Sequence, residues 1–510
     1  MTALSPGVLS ALAALPGLFF VFAFGACVGS FVNVLVYRLP RGLGVVTPAS
    51  RCPACETKLT WRENIPIFGW VFLGGRCRFC KSRISPQYPL IELTTAALFA
   101  LLYTQWFVDP LLLHSIGLDV SSLRPTWALP GVRWMWPALL INLSLVAGLI
   151  AMTLIDAATF TIPLILPWIV TGIAITVHPL HALFVQLRAG SLDVITPAAG
   201  STRWVIPTAH WDWTIAALAG AVGLAVAIIL LEVRALPRSF ADYEAWEREA
   251  LARRDKKNAP ADQASHAPRD DAPPSDPKNH AGAMLRALVV SAPALAGMFL
   301  GFSIGVPMGK APVAAAIGTA LGLLVGLVLR RLVPGPEDAQ DDPIWVQYPH
   351  ARQEVLKEAV FLAAPTVAAA GAYLIVHTSS WAAGDPPLWL AALSGSLTGF
   401  LVGGGVVWVV RILGTLAFGK EAMGLGDVHL LAAVGACLGW IDPLLAFFIA
   451  PFFGIAWALG SLVTSSIFRR QGAALPYGPH LAFATLLLVY GRPIFAWGLS
   501  MISGVEVHLP

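Results

Sequence analysis

Two cysteine pairs and two aspartates carry the chemistry that this sequence offers. Cys52-Pro-Ala-Cys55 and Cys77-Arg-Phe-Cys80 form CxxC…CxxC with 21 residues between the pairs. Each CxxC can turn both thiolates onto one ion, and two such knuckles complete a tetrahedral Cys₄ site. The gap is near the upper end of familiar zinc-ribbon spacing. Four thiolates with no open position read as structural zinc rather than catalytic zinc. The alternative is a pair of redox CxxC units or unliganded thiols. The polar stretch around them, residues 38–87, is too small to build a large core, so a metal staple is physically reasonable. Cys27 and Cys437 lie in apolar runs and read as small core fillers.

Asp156 closes an apolar run, LIAMTLIDAATFTIP, and Asp427 follows a glycine-rich turn, MGLGDVHLLAAVGACLG. A carboxylate at or within the hydrocarbon is costly and is a functional candidate for that reason. Two of them a few ångströms apart cannot both ionise easily. One would then take a proton from water while the other, protonated, polarised a peptide carbonyl, which is hydrolysis without a covalent intermediate. The sequence separates them by 270 residues and does not itself show them meeting. Gly424 and Gly426 would let an extended strand of substrate come close to Asp427. Pro163 would permit a break before the next helix. The plainer reading of each aspartate is a polar residue at a helix end, with Asp427 as a helix cap.

The elements that must position these groups are apolar helices. Of the 510 residues 57% are hydrophobic and only 12% charged, and mean hydropathy is +0.71. A soluble domain carries about twice that charged fraction, so the balance points to an all-α polytopic membrane protein embedded in a lipid bilayer. The net charge of +4 is small and no long Lys/Arg block is present, which argues against a nucleic-acid partner. A spanning helix needs about 20 apolar residues. Such runs fall near 10–37, 88–107, 135–155, 162–182, 213–233, 284–306, 311–331, 357–378, 387–411, 427–441, 443–467 and 479–500, or about twelve transmembrane helices. The tenth is short and reads as re-entrant or tilted. The 18 tryptophans suit interfacial belts.

No Lys or Arg precedes Arg38, so the first helix reads as uncleaved, with its N-terminus outside and its Arg end in the cytoplasm. Alternation then puts 38–87, 156–161, 234–283, 332–356, 412–426 and 468–478 on the cytoplasmic side. These loops hold 22 of the 33 Lys and Arg, against four in the outer loops 108–134 and 183–212, so charge bias and span count agree. Both aspartates fall on that side. So do the paired cysteines, where a reducing compartment favours metal over disulfide. Residues 236–282 start with a charged stretch that could form a helix and end in a Pro-, Ala- and Asp-rich linker.

Five strings, in order, resemble the type IV prepilin peptidase family of GxGD aspartic peptidases. GACVGSFVNVLVYRLPRG (25–42) is similar to its N-terminal signature. Residues 51–93, RCPACETKL…QYPLIEL, are similar to its cysteine domain and the start of its second helix. LIDAATFTIP (154–163) and MGLGDVHLLAAVGACLGW (423–440) resemble its two aspartate motifs, and PYGPHLAFA (476–484) its closing motif. The likeness covers about 15–185 and 387–500.

The expected domains are a first helix, 1–37, and a cytoplasmic zinc-ribbon-like lobe, 38–87. A peptidase core follows at 88–185 with Asp156, then an inserted region at 186–386, then core at 387–510 with Asp427. The insertion appears as four spans, an even number, which leaves both aspartates on one side. Two positions depart from the family pattern. Leu164 stands where an acidic residue is frequent, and His429 where Lys is usual.

The resemblance implies a bacterial inner-membrane endopeptidase with Asp156 and Asp427 catalytic. It would remove the basic leader from prepilin or pseudopilin precursors of type IV pilus and type II secretion systems. Many members also N-methylate the new N-terminus with S-adenosylmethionine, and the resemblance implies that activity too. Glu92, at YPLIE, would bind the substrate's basic or N-terminal group, or simply sit at the interface. Two other readings compete: a catalytically silent membrane scaffold for pilus or secretion assembly, and a secondary transporter with a zinc lobe. Retention of both aspartates and the order of the five motifs disfavour them.

Overall fold

A computed structural model describes residues 6–108, 128, 131–189, 210–243, 245–246, 249, 351–379, 384–419, 421–468 and 476–504. All regular structure among these residues is helical, apart from two isolated β-bridges in the cysteine lobe. The helices are α1 (Pro6–Arg38), α2 (Phe68–Phe72), α3 (Gln87–Phe107), α4 (Val132–Thr159), α5 (Ile165–Ala189), α6 (Trp211–Glu232), α7 (Ala351–Thr378), α8 (Leu388–Phe418), α9 (Leu425–Leu438), α10 (Ile441–Phe468) and α11 (Tyr477–Ser503).

Eight of these are long and apolar enough to cross a membrane: α1, α3, α4, α5, α6, α7, α8 and α10. The protein is therefore multi-pass. The expected spans at 284–306 and 311–331, and the linker beyond residue 249, lie outside the described residues. The tenth expected span is α9, whose 14 residues give a rod about 21 Å long. The last expected span falls in α11, which bends at Gly491.

Lipid tails are as apolar as leucine, so close packing rather than escape from water holds such helices together. The packed centre is α4, against which α1, α3, α5, α9 and α11 all lie. Its Ile141, Leu145, Leu149, Met152 and Ile155 are fully enclosed, as are Leu430 and Leu431 of α9. α8 packs most extensively on α9. At Gly399 and Gly435 their backbones touch, and a Cβ on either glycine would run into the other's carbonyl. The Ser396 hydroxyl locks the crossing by donating to the Ala436 carbonyl at 2.7 Å. α6 and α7 pack chiefly on each other and reach the rest mainly through α8. Cys437 is buried as expected. Cys27 is not a core filler: it faces outward from α1, where lipid tails accept a small thiol as readily as a core does.

Candidate functional site

Asp156 lies in the last turn and a half of α4, buried despite its charge. The helix ends four residues later at Phe160, which takes a left-handed conformation (φ 56°) and donates its N–H back to the Asp156 carbonyl at 2.8 Å. A short non-helical stretch through Ile162 and Pro163 follows, and α5 starts at Ile165. The break expected at Pro163 is present.

Asp427 sits in the first turn of α9. The N-cap is Gly424, so Asp427 is not the cap, and it is buried as well. The structure brings the two aspartates together: Ile162 lies against both Gly426, next to Asp427, and Gly478, which abuts the Asp156 carboxylate, so the two carboxylates are within electrostatic reach of each other. A third segment completes the corner. The first residues of a helix have N–H groups with no partner inside it, and α11 brings the one on Gly478 close against the Asp156 carboxylate. A Cβ at 478 would collide with that carboxylate, so only glycine brings this N–H so near. Tyr477 lies within electrostatic reach of Asp427, and its hydroxyl donates to the Phe447 carbonyl at 3.1 Å. Ile162 fills the space between α9 and α11, touching the positions where Gly426 and Gly478 lack side chains. Three of the five sequence motifs thus meet at one point.

The other proposed site residues stand as follows. Around Gly424 a Cβ would meet nothing closer than 3.9 Å, whereas Gly426 faces Ile162. Glu92 is buried at the start of α3 and accepts the Ile67 N–H at 2.6 Å, tying the cysteine lobe to the bundle. His429 bonds the Leu425 carbonyl through Nδ1 at 2.8 Å and packs against Trp168 of α5.

In the lobe the four cysteine sulfurs lie within 4.8 Å of one another, a group able to hold a metal ion. Cys52 Sγ stands 3.8 Å from Cys80 Sγ, and Cys55 Sγ 4.0 Å from Cys77 Sγ. An ion with four bonds of about 2.3 Å to sulfur requires edges of about 3.8 Å, so the thiols fit a tetrahedral ion. The two knuckles repeat each other. Cys52 N–H bonds the Thr57 carbonyl and Cys77 N–H the Ser82 carbonyl, at 3.0 and 2.9 Å. Glu56 and Lys81, each next after the second cysteine, take left-handed φ of 55° and 60°. Bridges pair Arg51 with Lys58 and Arg76 with Arg83. The N–H groups of Cys55 and Ala54 draw the Cys52 thiol down to about 6, toward the thiolate a metal needs. The signal for this repeat was available in CPACETKL and CRFCKSRI, which match in register.

Comparison with known proteins gives these arrangements a context. Residues 23–106 match the Bacterial Peptidase A24 N-terminal domain, and residues 362–459 match the Type IV leader peptidase family. The two matches make the chain similar to type IV leader peptidases over these two stretches. Asp427 lies inside the second match and Asp156 outside both. The second match starts within α7, ahead of the boundary at 387 that the motifs suggested.

Among similar proteins is a prepilin leader peptidase/N-methyltransferase of Klebsiella pneumoniae, 41% identical over 142 residues, covering 24% of this chain and 61% of that protein. Another, from Myxococcus xanthus (strain DK1622), is 50% identical over 91 residues, covering 17% of this chain and 27% of that protein. A third, from Neisseria gonorrhoeae, is 30% identical over 208 residues, covering 36% and 62%. The chain thus spans less than two thirds of the length of each of these relatives. No solved structure matches the chain.

Proposed function

We propose that this protein is a membrane aspartic endopeptidase that removes the basic leader from prepilin-like or pseudopilin precursors at the cytoplasmic face of a bacterial inner membrane. The observation that carries the reading is the meeting of Asp156 and Asp427, two buried carboxylates from distant parts of the chain, at the ends of helices. In this reading one carboxylate, ionised, takes a proton from water. The hydroxide so formed attacks the scissile carbonyl carbon, while the other, protonated, hydrogen-bonds the carbonyl oxygen. Collapse of the tetrahedral intermediate breaks the C–N bond, and the leaving amine takes up a proton from the dyad. The Gly478 N–H, close against the Asp156 carboxylate, would help to orient it. The cytoplasmic orientation is supported by the Lys/Arg bias of the loops.

The lobe's four cysteines would hold zinc. With all four positions taken by thiolates it would have no place for substrate, and its contribution would be to fold the lobe. The relatives' names include N-methyltransferase, which supports S-adenosylmethionine as a co-substrate. Two clefts, between α1 and α3 (Leu15, Phe19, Leu101) and between α6 and α7 (Trp213, Ala369, Tyr373), are predominantly apolar and do not suit a charged nucleoside. Methyl transfer is supported by the names of the relatives.

The test is leader removal from a co-expressed prepilin, read by gel shift and mass spectrometry, beside Asp156→Asn and Asp427→Asn at matched membrane levels. Cleavage by the wild type and by neither variant supports the dyad. Equal cleavage by all three refutes it. The mass of one added methyl group on the product would establish the second activity.

A further inference from the structure

A buried cluster of charge stands beside the loop that leads into Asp427, and much of it comes from outside both family matches. Arg411, near the end of α8, is 1% exposed. Its Nε donates to Glu358 at 2.8 Å, and its Nη1 donates to both the Glu421 carboxylate and the Met423 carbonyl. Met423 immediately precedes Gly424, the N-cap of α9, and Asp427 follows three residues after that cap. The guanidinium also lies over the Phe240 ring, 5.0 Å from its centroid.

Glu358 in turn accepts from the Ser239 hydroxyl at 3.2 Å and the Trp408 indole at 3.1 Å. One turn earlier on α7, Glu354 accepts the Phe240 N–H at 2.7 Å. Two carboxylates of α7 thus clasp the Ser239–Phe240 segment. That segment and Glu358 together grip Arg411, which holds the loop. Residues 239, 240, 354 and 358 lie outside 23–106 and 362–459.

A guanidinium is a planar fork whose donors stay in fixed relation, and its bonds to carboxylates are short and directional. Buried among these partners, Arg411 cannot follow a shift of the loop without leaving a carboxylate unpaired. We propose that Arg411 is a positioning residue for Asp427, and that Glu358 and Phe240 make the region outside the family matches part of the support of the active site. The role assigned to Asp427 rests on the peptidase reading above. The hold on the loop does not.

The experiment uses the full-length protein in detergent micelles, with Glu358→Gln, Phe240→Leu and Arg411→Lys. Leu356→Ala, an outward-facing change on the same helix, is the control. Two quantities are read: kcat and KM for a purified prepilin, and backbone hydrogen exchange of residues 419–426 by mass spectrometry. Because small misplacements of reacting groups are costly, each of the three variants should lower kcat by about tenfold or more. KM should stay within about twofold, and exchange in the loop should speed up, while the control matches the wild type in both. Phe240→Leu keeps all the charges, so it remains informative if Arg411→Lys fails to fold. Unchanged exchange in the variants would overturn the proposal, whatever happens to kcat. Faster exchange with unchanged kcat would overturn the positioning role. Should the wild type cleave no prepilin, the peptidase reading falls, and exchange alone decides whether the clamp exists.

Discussion

The membrane windows of α4 and α7 differ little in hydropathy, 2.4 against 2.0, yet 67% of the first is buried and only 11% of the second. α4 is enclosed by α1, α3, α5, α9 and α11. α7 turns Leu356, Val360, Val367, Leu374 and Ile375 outward, and the groups it does bury include two glutamates, Glu354 and Glu358. Hydropathy reports fitness for the bilayer and is blind to position within the bundle. The centre is fixed by shape, through side chains and glycines that interlock. The periphery adds a few desolvated charges to a glycine contact of its own, where Gly223 of α6 meets Ala364 and Pro365 of α7. The cysteine lobe shows a third arrangement, built around four clustered cysteines able to hold a metal ion.

The contrast can be broken most sharply at the aspartate of α4. Asp156→Asn should lower leader removal by about 10²–10⁴-fold with little change in melting temperature. Leu374→Ala on α7 should leave both unchanged, and equal losses in the two would erase the distinction. In the lobe, the double variant Cys52→Ser, Cys55→Ser should lose its bound metal, measured by elemental analysis of the purified protein, and unchanged zinc would refute the four-cysteine site. The apo lobe also has a pH signature. With Cys52 drawn down to about 6, its thiolate persists as pH falls to that value and is lost below it, so alkylation of Cys52 after chelation should decline with a midpoint near pH 6.

Within α7, Glu358→Ala removes one of the two carboxylates that Arg411 bonds and should cost about 2–3 kcal/mol, while Leu356→Ala should stay within about 0.5 kcal/mol. The smallest effects separate glycines by position. Gly399→Val pushes a branched side chain into the α8–α9 crossing and should cost about 1–3 kcal/mol. Gly371→Val on α7, where a Cβ meets nothing within 4 Å, should be close to neutral. Thermal unfolding in one detergent checks both pairs.

Much of the scaffold could be read in advance because membrane spans follow from composition over a window, and the observed ends of α3, α4 and α6 lie within a few residues of those expected. Asp156 and Asp427 stood out because a carboxylate among apolar residues is costly. Their proximity could not be read, since it depends on Gly399 meeting Gly435 and on Gly478 reaching back from α11. Nor could Arg411. At the end of an expected span closing at 411, an arginine looks like a side chain reaching for the surface. In the structure α8 runs on to Phe418, and Arg411 is enclosed. Glu92 reads from sequence as a polar handle for substrate or an interfacial group, whereas its bond to Ile67 depends on how the lobe folds back.

α9 is about 21 Å long where the hydrocarbon layer is about 30 Å thick. Its neighbours bury nearly all of it from Asp427 onward, so nothing obliges its ends to meet the headgroups. Ala422, Gly424 and Leu425, in the chain that leads into it, are exposed, so the short helix starts at an open approach to Asp427. By donating to the Met423 carbonyl, Arg411 anchors that approach from the protein side.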